Sequence, residues 1–421
     1  MSATTMVNRG AVNHGLVKLF AATIAVVGLA FWVNTARHPE TLETTGNPLV
    51  PGMKAAINNI TGFRVIGAGN QTLVSVNKNA TGWAVAERDG YAADIDKVRE
   101  FLIQLADATL IEPKTSNPDW YSKLGVSDVA STAALGVRLE LDGLKSPVKT
   151  LIGTFNGQGG GGTFVRRNDE ASSWLAKGSL VPEKSPSQWL QKNLADIPSS
   201  RVQRVEIHQA GQTLVAAKSL PMEANFQIEG VPKQRQLKSE FEGNALASVL
   251  SSLRLDDVRK AGADNLSEAV APQSARYQTF DGLIINAVSR DQGEHHWVSF
   301  SATLDPVIAE AQILREQQQA AKDFAAAEAA FASQPAATDK TAATASSSAD
   351  QPASGSEATA PVAPLAVSDA AKDKLERMQK LQQEVSSLNA RFRGWEYRLP
   401  PYTWSNMVRS MEELLAPPAA K

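Results

Sequence analysis

The chain has 421 residues and a formal net charge of −2 at neutral pH, so no global field draws it toward nucleic acid or anionic lipid. It contains no cysteine, which excludes thiol nucleophiles, disulfides, cysteine-held zinc and lipoprotein-type acylation. A chain of this length accommodates two or three domains, each with a core of its own.

Leu19–Val33, LFAATIAVVGLAFWV, carries no charge, and with Leu16–Lys18 it approaches the roughly 20 residues a bilayer crossing needs. Lys18 can snorkel at one end, and Phe31 and Trp32 suit the interface at the other. Residues 16–33 are therefore predicted to be a transmembrane helix. A cleaved signal peptide is the rival, but FWVNTARHPE offers only Ala36 as a small residue, with Asn34 two positions before it. Arg9 and Lys18 precede the span, so the positive-inside rule leaves residues 1–15 in the cytoplasm. The expected topology is then a single membrane crossing, with a juxtamembrane linker over 34–50 and everything after Ala36 exported.

The next stretch carries one pattern twice. Ile60-x-x-Phe63-x-Val65 is answered by Val202-x-x-Val205-x-Ile207, and GNQTLVSV (from Gly69) by AGQTLVAA (from Ala210). In each copy this reads as a β-hairpin around a glycine turn. Trp83-x-Val85 and Phe226-x-Ile228 follow as short strands. A helical face comes next, Val98, Phe101, Leu102, Leu105 and Ala106 in the first copy and Leu246, Val249, Leu250 and Leu253 in the second. Further strands close each copy: Val137, Leu139 and Leu141 alternate with charged neighbours, VKTLIGTF and GTFVRRND flank Gly157–Gly162, and RYQTF, LIINAVS and HHWVSFSATL end the second. The expected fold class is α+β, with two tandem repeated modules over 51–199 and 200–304, each a mostly antiparallel sheet with a packed helix. Between them SPSQWLQKNLADIPSSRV predicts a short amphipathic helix with Trp189, Leu190 and Leu194 on one side. Asn117, Pro118 and Gly125 mark the cap, first position and stop of another helical turn.

Beyond Leu304 the composition changes. Residues 305–332, rich in Ala, Glu and Gln, predict a helix. Residues 333–367, dominated by Ala, Ser, Thr and Pro without an aromatic, predict a disordered linker. An amphipathic helix is expected over 368–392, where Met378, Leu381, Val385, Leu388 and Phe392 form a seam fit to pair with the Ala-rich helix in a hairpin. Residues 393–421 offer a strand, a Pro-Pro break and a short helix with Met407, Met411, Leu414 and Leu415, expected to pack back on the modules.

No residue is nominated as catalytic, cofactor-binding or metal-ligating. The glycine run Gly157–Gly162 lacks the Lys-Ser/Thr of a phosphate loop and precedes a strand, so it reads as a hairpin loop, with Arg166 and Arg167 on a strand face. His295 and His296 are adjacent in a strand and so face opposite ways, which does not suit a shared metal. Trp83, Trp120, Tyr121, Trp174, Trp189 and Trp297 sit in apolar patterns and read as packing residues.

The passage GWAVAERDGYAADIDKVREFLIQLADATLIEPKTSNPDWYSKLGV resembles the bacterial family known as domain of unknown function 4340. SSWLAKGSL, WLQKNLADIP, TFDGL and GWEYRLPPY add to the likeness, which runs from about Leu49 to Leu304 and resumes near Phe392. The resemblance implies one N-terminal membrane span and a partner among ABC-transporter subunits of the gliding-motility auxiliary type. It transfers no catalytic residue. The expected role is a non-enzymatic accessory protein that binds or braces an ABC-type transport complex. The alternatives are a periplasmic lipid- or glycan-binding protein, with the ligand between the modules, and then an envelope hydrolase.

Overall fold

The first sheet begins with β1 (Gly62–Ile66), buried at every position but Arg64, and β2 (Thr72–Asn79), which buries alternate residues Val74 and Val76, followed by β3 (Gly82–Val85) and β4 (Tyr91–Ala92). Helix α1 (Ile95–Asp107) then crosses its inner face before β5 (Leu110–Thr115), β6 (Val137–Asp142), β7 (Val148–Asn156), β8 (Gly162–Arg167) and β9 (Ser173–Lys177). Every pairing is antiparallel, in the order β4-β3-β2-β1-β6-β7-β8-β9-β5. The structure is a computed structural model that describes residues 46–158, 161–167, 169–262, 273–292, 295–333 and 360–417. The predicted span over 16–33 and its flanks to residue 45 lie outside these, as does residues 334–359 of the predicted linker. No helix among the described residues is long and apolar enough to cross a membrane.

Asp94 starts α1, its carboxylate accepting from the Asp96 and Lys97 amides at 3.1 and 3.2 Å. Val98, Phe101, Leu102, Leu105 and Ala106 are all buried, because their spacing brings them onto one helical face. Phe101 meets Phe63 of β1 at 5.4 Å. On the outer face Glu140 of β6 is covered by Arg64 and Arg138, with nitrogens at 2.9 and 3.0 Å. Outside β5, the Leu49 and Leu110 amides bond to Ala108 and Asn47 carbonyls, both at 2.9 Å, so residues 47–49 border the start of that strand.

The second sheet comes from β11 (Val202–Gln209), β12 (Gln212–Ala217), β13 (Gln227–Ile228), β15 (Asp257–Lys260), β16 (Gln273–Thr279), β17 (Leu283–Gln292), β18 (His295–Leu304) and β19 (Trp395–Arg398). β10 (Asn193–Ala195) and β14 (Leu253–Arg254) pair separately, and α2 (Glu242–Ala247) lies between β13 and β14. The order of the second sheet is β13-β12-β11-β16-β17-β18-β19-β15. With β11 set on β1 and each later strand on its counterpart, this is the order of the first sheet without β4. Both sheets thus share one antiparallel arrangement.

The QTLV tetrapeptides, however, are out of phase. Val65 pairs with Val74, whereas its counterpart Ile207 pairs with Leu214. The equivalent of Leu214 is therefore Val74 and not Leu73. Val74 and Val76 are buried in the first copy, Leu214 and Ala216 in the second. The register shift between Val65 and Ile66 absorbs the difference. The second hairpin turns through Ala210 and Gly211, with φ of 48° and 76°, as a two-residue turn that matches strand twist requires. A one-residue slip inverts which side chains face the core, so burial and not the shared letters decides the match.

The segment predicted as a helix between the modules is extended instead. Pro186–Trp189 form one 3-10 turn and Asn193–Ala195 are β10. Trp189, Leu190 and Leu194 are buried as expected of an apolar side, yet their backbone groups serve both sheets. The Asp94 amide donates to Trp189 at 2.8 Å and the Gln191 amide to Ala92 at 2.9 Å. The Ile197 and Leu255 amides bond to Leu250 and Lys192 at 2.9 and 3.0 Å. A helix would have consumed these groups internally, and the sheets outbid it. Trp189 fills the joint, with Phe63 at 5.0 Å and Phe101 at 5.4 Å. The second helical face is also shorter than predicted. α2 ends at Ala247, a 3-10 turn covers Ser248–Leu250, and Leu253 belongs to β14, since Ser252 at φ 52° breaks the helix.

After β18 comes a helical arm. α3 (Pro306–Ala332) starts on Asp305, whose side chain accepts from the Val307 and Ile308 amides. α4 (Ala370–Phe392) returns antiparallel to it, preceded by a helical turn at Leu365–Ser368, of which residues 365–367 fall in the predicted linker. Ala366 in that turn is buried, because it lies against α3. Lys374 pairs with Glu310 at 2.9 Å, and the Gln317 amide reaches the Ala370 carbonyl at 2.7 Å. Arg201 fixes the arm to the second sheet, with both Glu384 oxygens and one of Asp281 at 2.7 Å. β19 then completes the sheet. α5 (Pro401–Met407) closes against α2, burying Met407, and α6 (Met411–Leu414) is held where the Lys238 amide donates to the Leu414 carbonyl at 2.8 Å, with Leu414 buried.

Candidate functional site

The two sheets meet at a cleft of about 830 Å³. Four separate parts of the chain line it. From the first sheet come Gly90, Tyr91 and Ala92. The connecting segment adds Gln191 and Asn193, and Asp196 lies beside Ser252 of the second module. Arg391 from the end of α4 and Trp395 from β19 close the far wall.

Asp196, Arg391 and Trp395 are held by local contacts. Asp196 accepts the Ser252 amide at 2.8 Å, which stabilises the left-handed backbone there. Arg391 donates one guanidinium N–H to the Leu194 carbonyl at 3.3 Å, and its own carbonyl accepts the Tyr397 hydroxyl at 2.6 Å. Trp395, half-buried, meets the ring of Tyr91 edge-on at 5.0 Å and 87°. Burial pushes the Tyr91 phenol up to about 12, although its bond with Tyr397 and the charge of Arg391 pull the other way. Tyr91 is thus a neutral phenol at physiological pH. Just outside, Arg88 of the first module grips Asp257 of β15 through two bonds, at 2.5 and 2.9 Å. The Asp257 bond outweighs the cost of burial and raises the Arg88 guanidinium further.

The cleft therefore combines amides, a carboxylate, a guanidinium and an aromatic wall. Such a set recognises a polar ligand by hydrogen bonds and ring contact. Its residues are scattered along the chain, and nothing in their local spacing signals a site. The second cavity, of about 280 Å³ at the base of the arm, is lined by Arg201, Arg377 and Lys380 facing Asp281, Glu316 and Glu384. These charges neutralise one another and tie the arm down.

The motifs weighed in the sequence lie elsewhere. Of the glycine run, Gly157, Gln158 and Gly161 follow β7 and precede β8, Gly162 opens β8, and residues 159–160 lie outside the described residues. Arg166 donates to the Val126 and Glu170 carbonyls and lies over the Tyr121 ring, and Arg167 donates to the Leu49 and Pro48 carbonyls and to the Glu170 carboxylate, so both are engaged within the first module. His296 stacks on Trp404 at 3.6 Å. Among the described residues no group of three or more His, Cys, Asp or Glu is placed to hold a metal. Trp189 and Tyr121 are buried, whereas Trp120 is exposed, with the Lys123 ammonium 3.9 Å from its ring centre.

Residues 83–271 match the family model described as "Domain of unknown function (DUF4340)". The matched stretch starts in β3 and ends just before β16, so it crosses the joint between the sheets. No curated protein and no solved structure matches the chain.

Proposed function

We propose, from the match of residues 83–271 to the DUF4340 family and from the geometry above, that the chain is a non-enzymatic accessory protein of a membrane-bound assembly. Residues 16–33 anchor it in a bacterial inner membrane, and two copies of one ancestral α+β unit stand in the periplasm. The partner is an ABC-type transport complex, the assembly that the resemblance implies. The observation that carries this reading is the arm. α3 is 27 residues long, or about 40 Å, and beyond Ala320 only Phe324 is even half-buried. A helix kept in register by a paired neighbour and left bare at its far end is suited to dock on another protein. Val307 and Leu314, one heptad apart on α3, are exposed large apolar residues beside the paired face.

The test is site-specific photocrosslinking of the full chain in intact membranes, with the crosslinker placed at Leu314 or Phe331 and, as controls, at Ile111 and Phe155 of the first module. Adducts with a transporter subunit from the arm positions alone are the expected result. Adducts with none, or release of the protein from the membrane by a carbonate wash, would sink the reading.

A further inference from the structure

We propose that the cleft between the two sheets binds a short oligosaccharide, with one sugar ring against Trp395 and its hydroxyls held by Gln191, Asn193 and Arg391. Volume is the first argument. About 830 Å³ falls in the range of pockets that enclose small ligands and leaves room for more than one ring. Chemistry is the second. The Gln191 and Asn193 amides are exposed and make no other side-chain hydrogen bond among the described residues. Each offers two donors and an acceptor, the complement that vicinal hydroxyls require. Arg391 spends one of its donors on Leu194 and keeps the rest of its fork.

Trp395 supplies the third. Tyr91 braces it edge-on, so the indole is already fixed when a ligand arrives and little side-chain entropy is left to lose. The C–H face of a pyranose packs on such a ring as other apolar groups do.

Rival occupants fit less well. An acyl chain needs a continuous apolar wall, and apart from the two rings this lining offers only the methyl groups of three alanines and Thr81, interrupted by polar side chains. A peptide strand needs an open sheet edge, yet the Ala93–Leu190 bridge and the Gln191–Ala92 bond already close the edge of β4. A free phosphate would meet the Asp196 carboxylate in the same space. The site goes beyond the docking role of the arm and does not depend on it.

The test is isothermal titration of the full chain in lipid nanodiscs with cellotriose and with chitotriose. At least one trisaccharide should bind saturably. The double variant Q191A/N193A should weaken it at least tenfold with an unchanged thermal midpoint, because both side chains are solvent-facing. Trp395→Phe should weaken it about threefold, and Trp395→Ala by tenfold or more. The proposal is overturned if neither sugar binds, if Q191A/N193A binds like the parent chain, or if trialanine or oleate competes with the sugar at equal concentration.

Discussion

β8 and β9 of the first sheet are joined by residues 168–172, and they pair along five positions from Gly162 to Arg166. Their counterparts β18 and β19 are separated by residues 305–394 and pair at Val298–Tyr397. The shared strand order thus survives a long insertion at one turn, but the edge of β18 beyond that point needs other protection. α4 provides it. Both the amide nitrogen and the carbonyl of Ala302 bond to the Asn389 side chain, at 2.9 and 2.8 Å, so one amide stands in for a missing strand. Phe392 packs on Phe300 at 5.4 Å beside it. An open edge is a liability in any sheet, and here a helix side chain answers it.

The strongest way to break this comparison is to replace residues 305–394 with the 168–172 turn. If α4 has become part of the second module, the loss of buried Leu388 and Phe392 alone should remove about 5 kcal/mol or more. The second module would then unfold ahead of the first in a denaturant titration followed by hydrogen exchange. A single unchanged transition would mean that the arm is an appendage.

Alkaline titration comes next in size. Tyr91 is pushed up to about 12 by burial, so the folded chain keeps a proton that the unfolded chain releases near pH 10. That contribution is complete below about pH 10 and is lost as pH rises toward 12, up to roughly 2–3 kcal/mol. Burial also raises Tyr277 and Tyr397, both in the second sheet, so the second sheet should melt first as tyrosinate absorbance grows.

Asn389→Ala probes the stand-in amide by itself and should cost about 1–2 kcal/mol for two lost bonds. Faster exchange of the Ala302 amide, with the first module unaffected, is the expected signature. The smallest effect should follow from shortening the arm, by replacing residues 321–363 with a glycine-serine turn. Stability measured by urea should then change by less than about 1 kcal/mol, since loop length enters only logarithmically. A larger drop would show that the far end of the arm supports the sheet.

The regular elements could be read from residue patterns because each repeats with a period of its own. Val98 to Ala106 has the helical period, and the hairpins have alternation around glycine turns. Two misreadings have a common cause. QTLV matched as letters, although register is set by which side chains meet the core across the sheet. Trp189, Leu190 and Leu194 fit a helical side, although the backbone groups between them were claimed by Ala92, Asp94 and Leu255, far off in sequence. The cleft was illegible for the same reason. Gln191 and Asn193 look like surface polar residues until Tyr91 and Trp395 are brought up on either side.

β15 stands at the outer edge of its sheet and pairs there with β19, whose residues are separated from it by more than half of the C-terminal part of the chain. During synthesis, therefore, β15 leaves the ribosome long before its neighbour exists. The first module can close while the second waits with an unfilled slot, and a nascent chain that stops before Arg398 cannot fill it. The cleft, which needs Arg391 and Trp395, is among the last features to be assembled, so translation must near its end before the protein can bind anything there.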